Sequence, residues 1–299
     1  MIMGARSDSP ERRAGVIGWP LGHSISPAFQ QPAFDACGLA VSYQAIPVPP
    51  EALEEFIAGL RTSDAPVWLG VNVTIPHKEG VAKLVDDVTE EARLIGAVNT
   101  VICEGGRLTG HNTDAEGFLR GLTVDGKFDP AGARTLVIGS GGASRAICVA
   151  LLQAGVHKLS VANRSPERAE SLVWHLQGAF PGREIEPLPF DAGVFRELLG
   201  STELLVNTTS IGMAHGPSPD TSPVPVDAIR SGLVVYDLVY NPAETPLLRA
   251  ARMAGARPVE GLPMLIYQGA ASFTRWTGVE APVDVMFAHG RRALEARNS

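Results

Sequence analysis

Past the first dozen residues, short runs of alternating or continuous apolar residues are interleaved with longer stretches of helical spacing. AGVIGWP (14–20) reads as a strand, LGHSISP as a loop, and FQQPAFDACGL as the apolar face of a helix starting near Pro27. VSYQAIPV is a second strand, and PPEALEEFIAGLR a helix with proline at its start. In GVNVTIPHKEG (70–80), Val71, Val73 and Ile75 alternate with Asn72 and Thr74, a strand with one apolar and one polar face. Pro76, which lacks the N–H a ladder needs, ends it, and His77 and Lys78 follow at its tip. KEGVAKLVDDVTEEARLIG (78–96) is expected to be helical throughout, and AVNTVICEGGRLTGHNTD to form two strands joined by a Glu-Gly-Gly turn. This segment is α/β with mixed strand directions.

DAEGFLRGL reads as a linking helix. After it, strands and helices alternate: RTLVIGSGGASRAICVALLQAG, KLSVANR, SPERAESLVWHL, EIEPLPF, ELLVNTTSI and LVVYDLVY. That order predicts a doubly wound parallel sheet. The last part carries two helical patterns, GLPMLIYQGAASFTRWTG and VDVMFAHGRRALEARN, able to cap either unit.

Composition narrows the function classes. The 299 residues are 45% hydrophobic and 19% charged, ordinary for a globular chain long enough for two domains. A net charge of −7 argues against a nucleic-acid partner, which would need a basic stripe. It leaves small anionic ligands open. Cys37, Cys103 and Cys148 have no metal-type spacing and imply no disulfide framework, which fits a reducing cytoplasm. No signal peptide, membrane span or metal site is expected, and the first dozen residues read as a loose tail.

The strand Thr135–Ile138 runs into Gly139, Ser140, Gly141, Gly142 and Ala143 at the start of an apolar helix. The first glycine permits a tight turn, the second lets a pyrophosphate approach the backbone, and the helix start supplies N–H groups and a positive dipole end. Ser144 stands where a third Gly or Ala is usual. The end of the next strand selects the dinucleotide. An acidic residue there would bind a free ribose 2′-hydroxyl, but this chain has Asn163, Arg164 and Ser165, then Arg168. Guanidinium groups would clamp a 2′-phosphate, so NADP is expected over NAD.

The first segment offers further polar groups. Ser24 and Ser26 precede a helix and could bind a carboxylate, or simply cap that helix. Asn72 and Thr74 share a strand face, while Asn99, Asp114 and Lys78 lie near strand ends; each alone would pass for a surface or loop residue. Together beside a dinucleotide unit they suit hydride transfer at a carbinol carbon of a small polyhydroxylated acid.

GHSISP, NVTIPHKE, GAVNT, GHNTD, GSGGASRA, ANRSPERA, YDLVY and GLPMLIYQGA resemble, in order, the motifs of bacterial shikimate 5-dehydrogenase. The resemblance covers nearly the whole chain from about residue 14. It implies an N-terminal substrate domain with a mixed sheet (14–113 together with 261–299) and a Rossmann-type NADP domain (114–260). It further implies that Ser24, Ser26, Asn72, Thr74, Asn99, Asp114, Tyr240 and Gln268 contact shikimate, that Lys78 is the catalytic acid/base beside Asp114, and that Gly139 to Ala143, Asn163 to Arg168, Leu238 and Gly261 line NADP. Leu238 stands where many members carry methionine, and His77 where an aromatic often precedes the lysine. Quinate or aminoshikimate oxidation, a catalytically silent sensor and a folate-type dehydrogenase are the rival readings. Lys78 and Asp114 together disfavour the sensor, and the paired serines disfavour a pterin. A monomer or homodimer is expected.

Overall fold

A computed structural model describes residues 12–22, 24–61 and 67–298. The expected N-terminal tail lies outside these, apart from Arg12, which already belongs to the first strand.

The first sheet holds β1 (Arg12–Gly18), β2 (Val41–Pro47), β3 (Val67–Val73), β4 (Asp87–Val88), β5 (Thr100–Glu104) and β6 (Arg107–His111), in the order β2-β1-β3-β5-β6-β4. β1 pairs in parallel with β2 and β3, whereas β3, β5 and β6 pair antiparallel, so the sheet is mixed. The hairpin from β5 to β6 turns on Gly105 and Gly106, with φ of 56° and 79°. Two consecutive left-handed residues match the twist of the flanking strands, and glycine takes that conformation without steric cost.

Helices α1 (Ser26–Ala36), α2 (Leu53–Gly59), α3 (Lys78–Val81), α4 (Glu90–Ile95) and α5 (Asp114–Arg120) join and flank these strands. Two expectations are corrected here. The stretch 78–96 is not one helix: it is broken into α3, β4 and α4. Asp86 Oδ2 accepts the Leu108 N–H at 2.8 Å, tying the chain to β6, and Thr89 Oγ1 accepts from Ala92 N at 3.3 Å to start α4 afresh. Short polar side chains offered the backbone an alternative to helix, and the sheet edge took it. Strand β3 ends at Val73, before Thr74 and Ile75. Thr74 N donates to the Ile17 carbonyl and Trp19 N to that of Ile75, bending the chain over the end of β1 and leaving Ile75 69% exposed.

The second sheet contains β7 (Arg134–Ile138), β8 (Lys158–Ala162), β9 (Glu184–Leu188), β10 (Leu204–Asn207), β11 (Val234–Asp237) and β12 (Arg257–Val259), all parallel, ordered β12-β11-β10-β7-β8-β9. Helices α6 (Gly142–Gln153), α7 (Pro166–Ala179), α8 (Ala192–Leu199) and α9 (Pro246–Met253) are the crossovers. The order reverses between β7 and β10, the position at which sheets of this kind bind ligands beyond the strands' carboxyl ends. Three elements were not anticipated from the sequence: α8 and α9, amphipathic but only eight residues long, and the three-residue edge strand β12, which contains Pro258. The two helices start on side-chain caps, Asp191 and Thr245.

Helices α10 (Leu262–Thr277) and α11 (Val283–Asn298) pack on the first sheet. Ile266 and Phe273 of α10 and Met286 of α11 share one buried cluster with Ala14, Val16, Phe29 and Tyr43. α10 also runs along α5, where a side chain at Gly117 would stand 2.7 Å from Gln268 N. Glycine lets the two helices approach closely, which carries Gln268 toward Asp114. Among the described residues, no helix is long and apolar enough to cross a membrane.

Candidate active site

Lys78 opens α3 directly after the turn that ends β3, and its carbonyl accepts from Val98 N at 2.8 Å. Asp114 opens α5, its own N–H donating to Asn112 Oδ1 at 2.9 Å. Their side chains meet: Lys78 Nζ lies 2.5 Å from Asp114 Oδ2, with the two side chains 13% and 5% exposed. Asp114 Oδ1 also accepts from Asn99 Nδ2 at 2.8 Å. A desolvated carboxylate is tolerable only with such partners, and this one has both a cation and an amide.

Asn99 is the hub of a buried polar network. Its Oδ1 accepts from Thr113 N at 2.7 Å and Thr100 Oγ1 at 2.9 Å, and its Nδ2 also reaches Gln268 Oε1 at 3.3 Å. Thr100 Oγ1 lies 2.7 Å from Ser272 Oγ, which accepts from Asn72 Nδ2 at 2.9 Å. Asn72 Oδ1 accepts from the Tyr43 hydroxyl at 2.8 Å. Burial pushes that phenol well above its usual range, and a hydrogen bond with Ser26 opposes the shift. A continuous chain of polar side chains thus runs from Tyr43 to Lys78.

Tyr43, Thr100, Thr113 and Ser272 were not singled out in the sequence. Thr100 and Thr113 are chain neighbours of Asn99 and Asp114, and Ser272 follows Gln268 by one helical turn, so spacing held the only signal. Ser24 Oγ accepts from Ser26 N at 3.2 Å, a local turn bond of the capping kind. Arg297, on α11, donates to the Ser24 carbonyl at 3.2 Å. Tyr240 packs against the first-sheet cluster; burial raises its phenol, and the Arg297 charge opposes that. Thr74 is half-buried just beyond β3. His77 turns inward, Nε2 2.6 Å from the Val48 carbonyl, which accounts for a histidine at that position.

On the second sheet, Gly139 ends β7 with φ of 118°, and a side chain there would strike Thr208 Oγ1 at 2.1 Å. Gly141 precedes α6 with nothing within 4 Å of where a side chain would stand, so the space before the helix start is open. Ser144 Oγ donates to the Gly139 carbonyl at 2.7 Å, tying the turn together and explaining the departure from the usual third glycine. Ser140 is buried in the turn, and Ala143 packs against the core of this sheet. At the end of β8, Asn163 Nδ2 donates to the Ser165 carbonyl at 3.1 Å, and Arg164 and Arg168 are exposed. With no acidic residue at the strand end, this cradle fits a phosphorylated ribose.

Leu238 follows β11, its N–H donating to the Asn207 carbonyl at 3.0 Å. A side chain at Gly261 would stand 2.5 Å from the Leu238 carbonyl, so only glycine lets these segments pass. The loop is anchored by Asp237, a residue the sequence reading did not single out. Its carboxylate accepts from Asn207 Nδ2 at 2.9 Å, Val239 N at 3.1 Å and Thr245 Oγ1 at 2.6 Å. Burial lifts Asp237 to about 6 against the pull of those three donors.

Cys103 and Cys148 are pushed up to about 12 by burial, which removes them as nucleophiles at neutral pH. Among the described residues, no group of His, Cys, Asp and Glu could hold a metal ion. Fold and site define the class: an α/β dehydrogenase in which a dinucleotide-type parallel sheet faces a mixed sheet carrying a lysine–aspartate pair.

Comparison with known proteins narrows this. Residues 16–101 match the shikimate dehydrogenase substrate binding domain, 124–210 the shikimate / quinate 5-dehydrogenase family, and 261–286 the shikimate 5'-dehydrogenase C-terminal domain. The chain belongs to the shikimate dehydrogenase family. The shikimate dehydrogenase (NADP(+)) of Moorella thermoacetica is 47% identical over 94% of this chain and 93% of its own. The Thermus thermophilus enzyme, solved in complex with NADP(H) and shikimate, superposes with a TM-score of 0.82 at 39% identity, covering 94% of this chain and 99% of that one. A quinate dehydrogenase from Corynebacterium glutamicum, in complex with NAD, gives 0.83 at 32% identity, covering 94% and 99%. The fold thus serves more than one acid and cofactor, and individual side chains must distinguish them.

Proposed function

We propose that the chain catalyses the reversible reduction of 3-dehydroshikimate to shikimate with NADPH. The observation that carries this is the Lys78–Asp114 pair, an ammonium held on a buried carboxylate at the ends of elements from the first sheet. Relatives of high identity over almost the whole chain support it. The nicotinamide, when bound, exchanges a hydride with the carbon that carries the reacting oxygen.

The Lys78 ammonium stabilises the charge that develops on that oxygen and supplies its proton from Nζ; in the oxidative direction the amine takes the proton back. Asp114 orients Nζ and hydrogen-bonds the neighbouring hydroxyl. Ser24 and Ser26 anchor the substrate carboxylate, fixing the ring relative to the cofactor. Asn72, Thr74, Asn99, Tyr240 and Gln268 complete the contacts to the ring hydroxyls and carboxylate. The turn Gly139–Ala143 and the α6 N-terminus take the pyrophosphate. Asn163, Arg164, Ser165 and Arg168 take the adenosine ribose phosphate, and Leu238 and Gly261 flank the nicotinamide. The supporting observations are the open space before α6 and the two exposed guanidinium groups at the end of β8.

The substrate domain comprises 14–113 with 261–299, and the cofactor domain 114–260, a division supported by the packing of α11 on α1 and by the buried cluster that α10 and α11 share with β1 and α1. A reducing, cytoplasmic setting fits the three unbridged cysteines, and the chain acts as a monomer or homodimer. The test is NADP reduction followed spectrophotometrically with shikimate, quinate and aminoshikimate in parallel, each repeated with NAD. Preference for shikimate and NADP is expected. A higher kcat/KM for quinate or for NAD would overturn the substrate or cofactor assignment, and binding of shikimate without turnover would make the chain a sensor.

A further inference from the structure

Gly142 is the first residue of α6, after Gly141 with φ of −84° and ψ of −175°. It is not among the glycines with positive φ, so the backbone does not require glycine there. Nor does helix propensity favour it, since alanine is the better helix former. What forbids a side chain is the lysine. A Cβ on Gly142 would stand 2.9 Å from Lys78 Cβ and 3.1 Å from Lys78 Cδ.

The lysine stem has little room to retreat. Its carbonyl holds Val98 N at 2.8 Å, its ammonium is held by Asp114, and its side chain is 13% exposed. A second contact lies one turn further along α6. Arg145 Nε is 3.8 Å from Glu79 Oε2, the residue after Lys78, and Arg145 Nη1 would lie 3.2 Å from a side chain at Gly96. The first turn of α6, from the cofactor sheet, is therefore seated on α3 and the end of α4, from the other sheet.

We infer that Gly142 is a positioning residue for Lys78: the nucleotide-binding turn abuts the lysine stem and sets where its ammonium stands. The inference rests on the catalytic role given to Lys78 above. Seating α6 on α3 then places the proton donor in the same movement that places the cofactor turn, and glycine at 142 sets the depth of that contact.

The test is Gly142→Ala alone and in the Lys78→Ala background, with NADPH affinity measured by fluorescence titration without substrate. Gly142→Ala is expected to lower kcat by about ten- to a hundredfold, the cost of a small misplacement of a catalytic group. Because Gly142 also belongs to the turn given the pyrophosphate, NADPH affinity is measured alongside, and the fall in kcat should exceed any loss of that affinity by about tenfold or more. In the Lys78→Ala background the further loss should be no more than about threefold: no ammonium remains to be misplaced, and only the Cβ that alanine keeps still meets the added methyl.

Should Gly142→Ala not fold, Arg145→Ala keeps the glycine and removes the neighbouring contact. It should lower kcat by about threefold or more, again only when Lys78 is present. An unchanged kcat in the folded variants, an equal loss in both backgrounds, or a parallel loss of NADPH affinity would overturn the inference. Near-normal turnover of Lys78→Ala by itself would instead remove Lys78 from the chemistry, a failure distinguishable from these.

Discussion

Lys78 and Asp114, thirty-six positions apart in the chain, form an ion pair of 2.5 Å between the first residue of α3 and the first residue of α5. Asp114 is held on its other side by Asn99, so the ammonium is presented from a fixed carboxylate. Replacing Lys78 by alanine is expected to lower kcat by about 10²–10⁴-fold with a much smaller change in shikimate affinity. Steady-state kinetics with an equilibrium binding measurement separates the two.

The exposed Arg164 and Arg168 at the start of α7 are the predicted readers of the 2′-phosphate. Substituting both by alanine should raise KM for NADPH far more than for NADH. Equal changes with the two cofactors would reject the clamp.

Ser24→Ala with Ser26→Ala should raise KM for shikimate while leaving NADPH affinity alone. Part of the effect will come from the lost turn bond between Ser24 Oγ and Ser26 N. Comparing shikimate with its methyl ester resolves this: a carboxylate anchor is lost only for the acid, whereas a disordered turn weakens both.

Ser272 is fully buried, lies 2.7 Å from Thr100 Oγ1 and accepts from Asn72 Nδ2. Ser272→Ala removes the 2.9 Å acceptor of an Asn72 amide hydrogen and leaves it only Thr100 Oγ1 at 3.4 Å. The expected cost is about 1–3 kcal/mol of stability, read from denaturant unfolding. A rise in KM for shikimate should accompany it, because Asn72 loses the bond that orients it.

Asp237 titrates near 6 in the folded chain because burial disfavours its charge. The unfolded value is lower, so between about pH 4 and 6 the folded state holds a proton that the unfolded state has released. The contribution of this group to stability is therefore full below that window and falls as pH rises through it, by roughly 2–4 kcal/mol. Melting of the native chain and of Asp237→Asn across this range should show the difference between them changing in that direction. A pH-independent difference would show that Asp237 is not buried and titrating as described.

The pattern of the second sheet was legible because each signal was local. Gly139 needs a left-handed turn, Ser165 and Pro166 start α7, and the strands are near-continuous apolar runs. The helix expected over 78–96 failed for the opposite reason. Asp86 and Thr89 have ordinary helical neighbours, and what breaks the helix is the Leu108 N–H on another strand.

What the sequence by itself determined is what near neighbours control: the alternation of strands and helices, the glycine turn before α6, the absence of an acidic residue after β8, and the ordered motifs that mark the family. Tertiary structure alone decided which polar groups meet. Asn72 finds Ser272 two hundred positions away, Tyr43 donates to Asn72 twenty-nine positions on, and Gly142 lies against Lys78 from the facing sheet. Backbone propensity and hydrophobic period are set within a few residues, whereas a hydrogen bond or a van der Waals contact across the core depends on how whole layers pack.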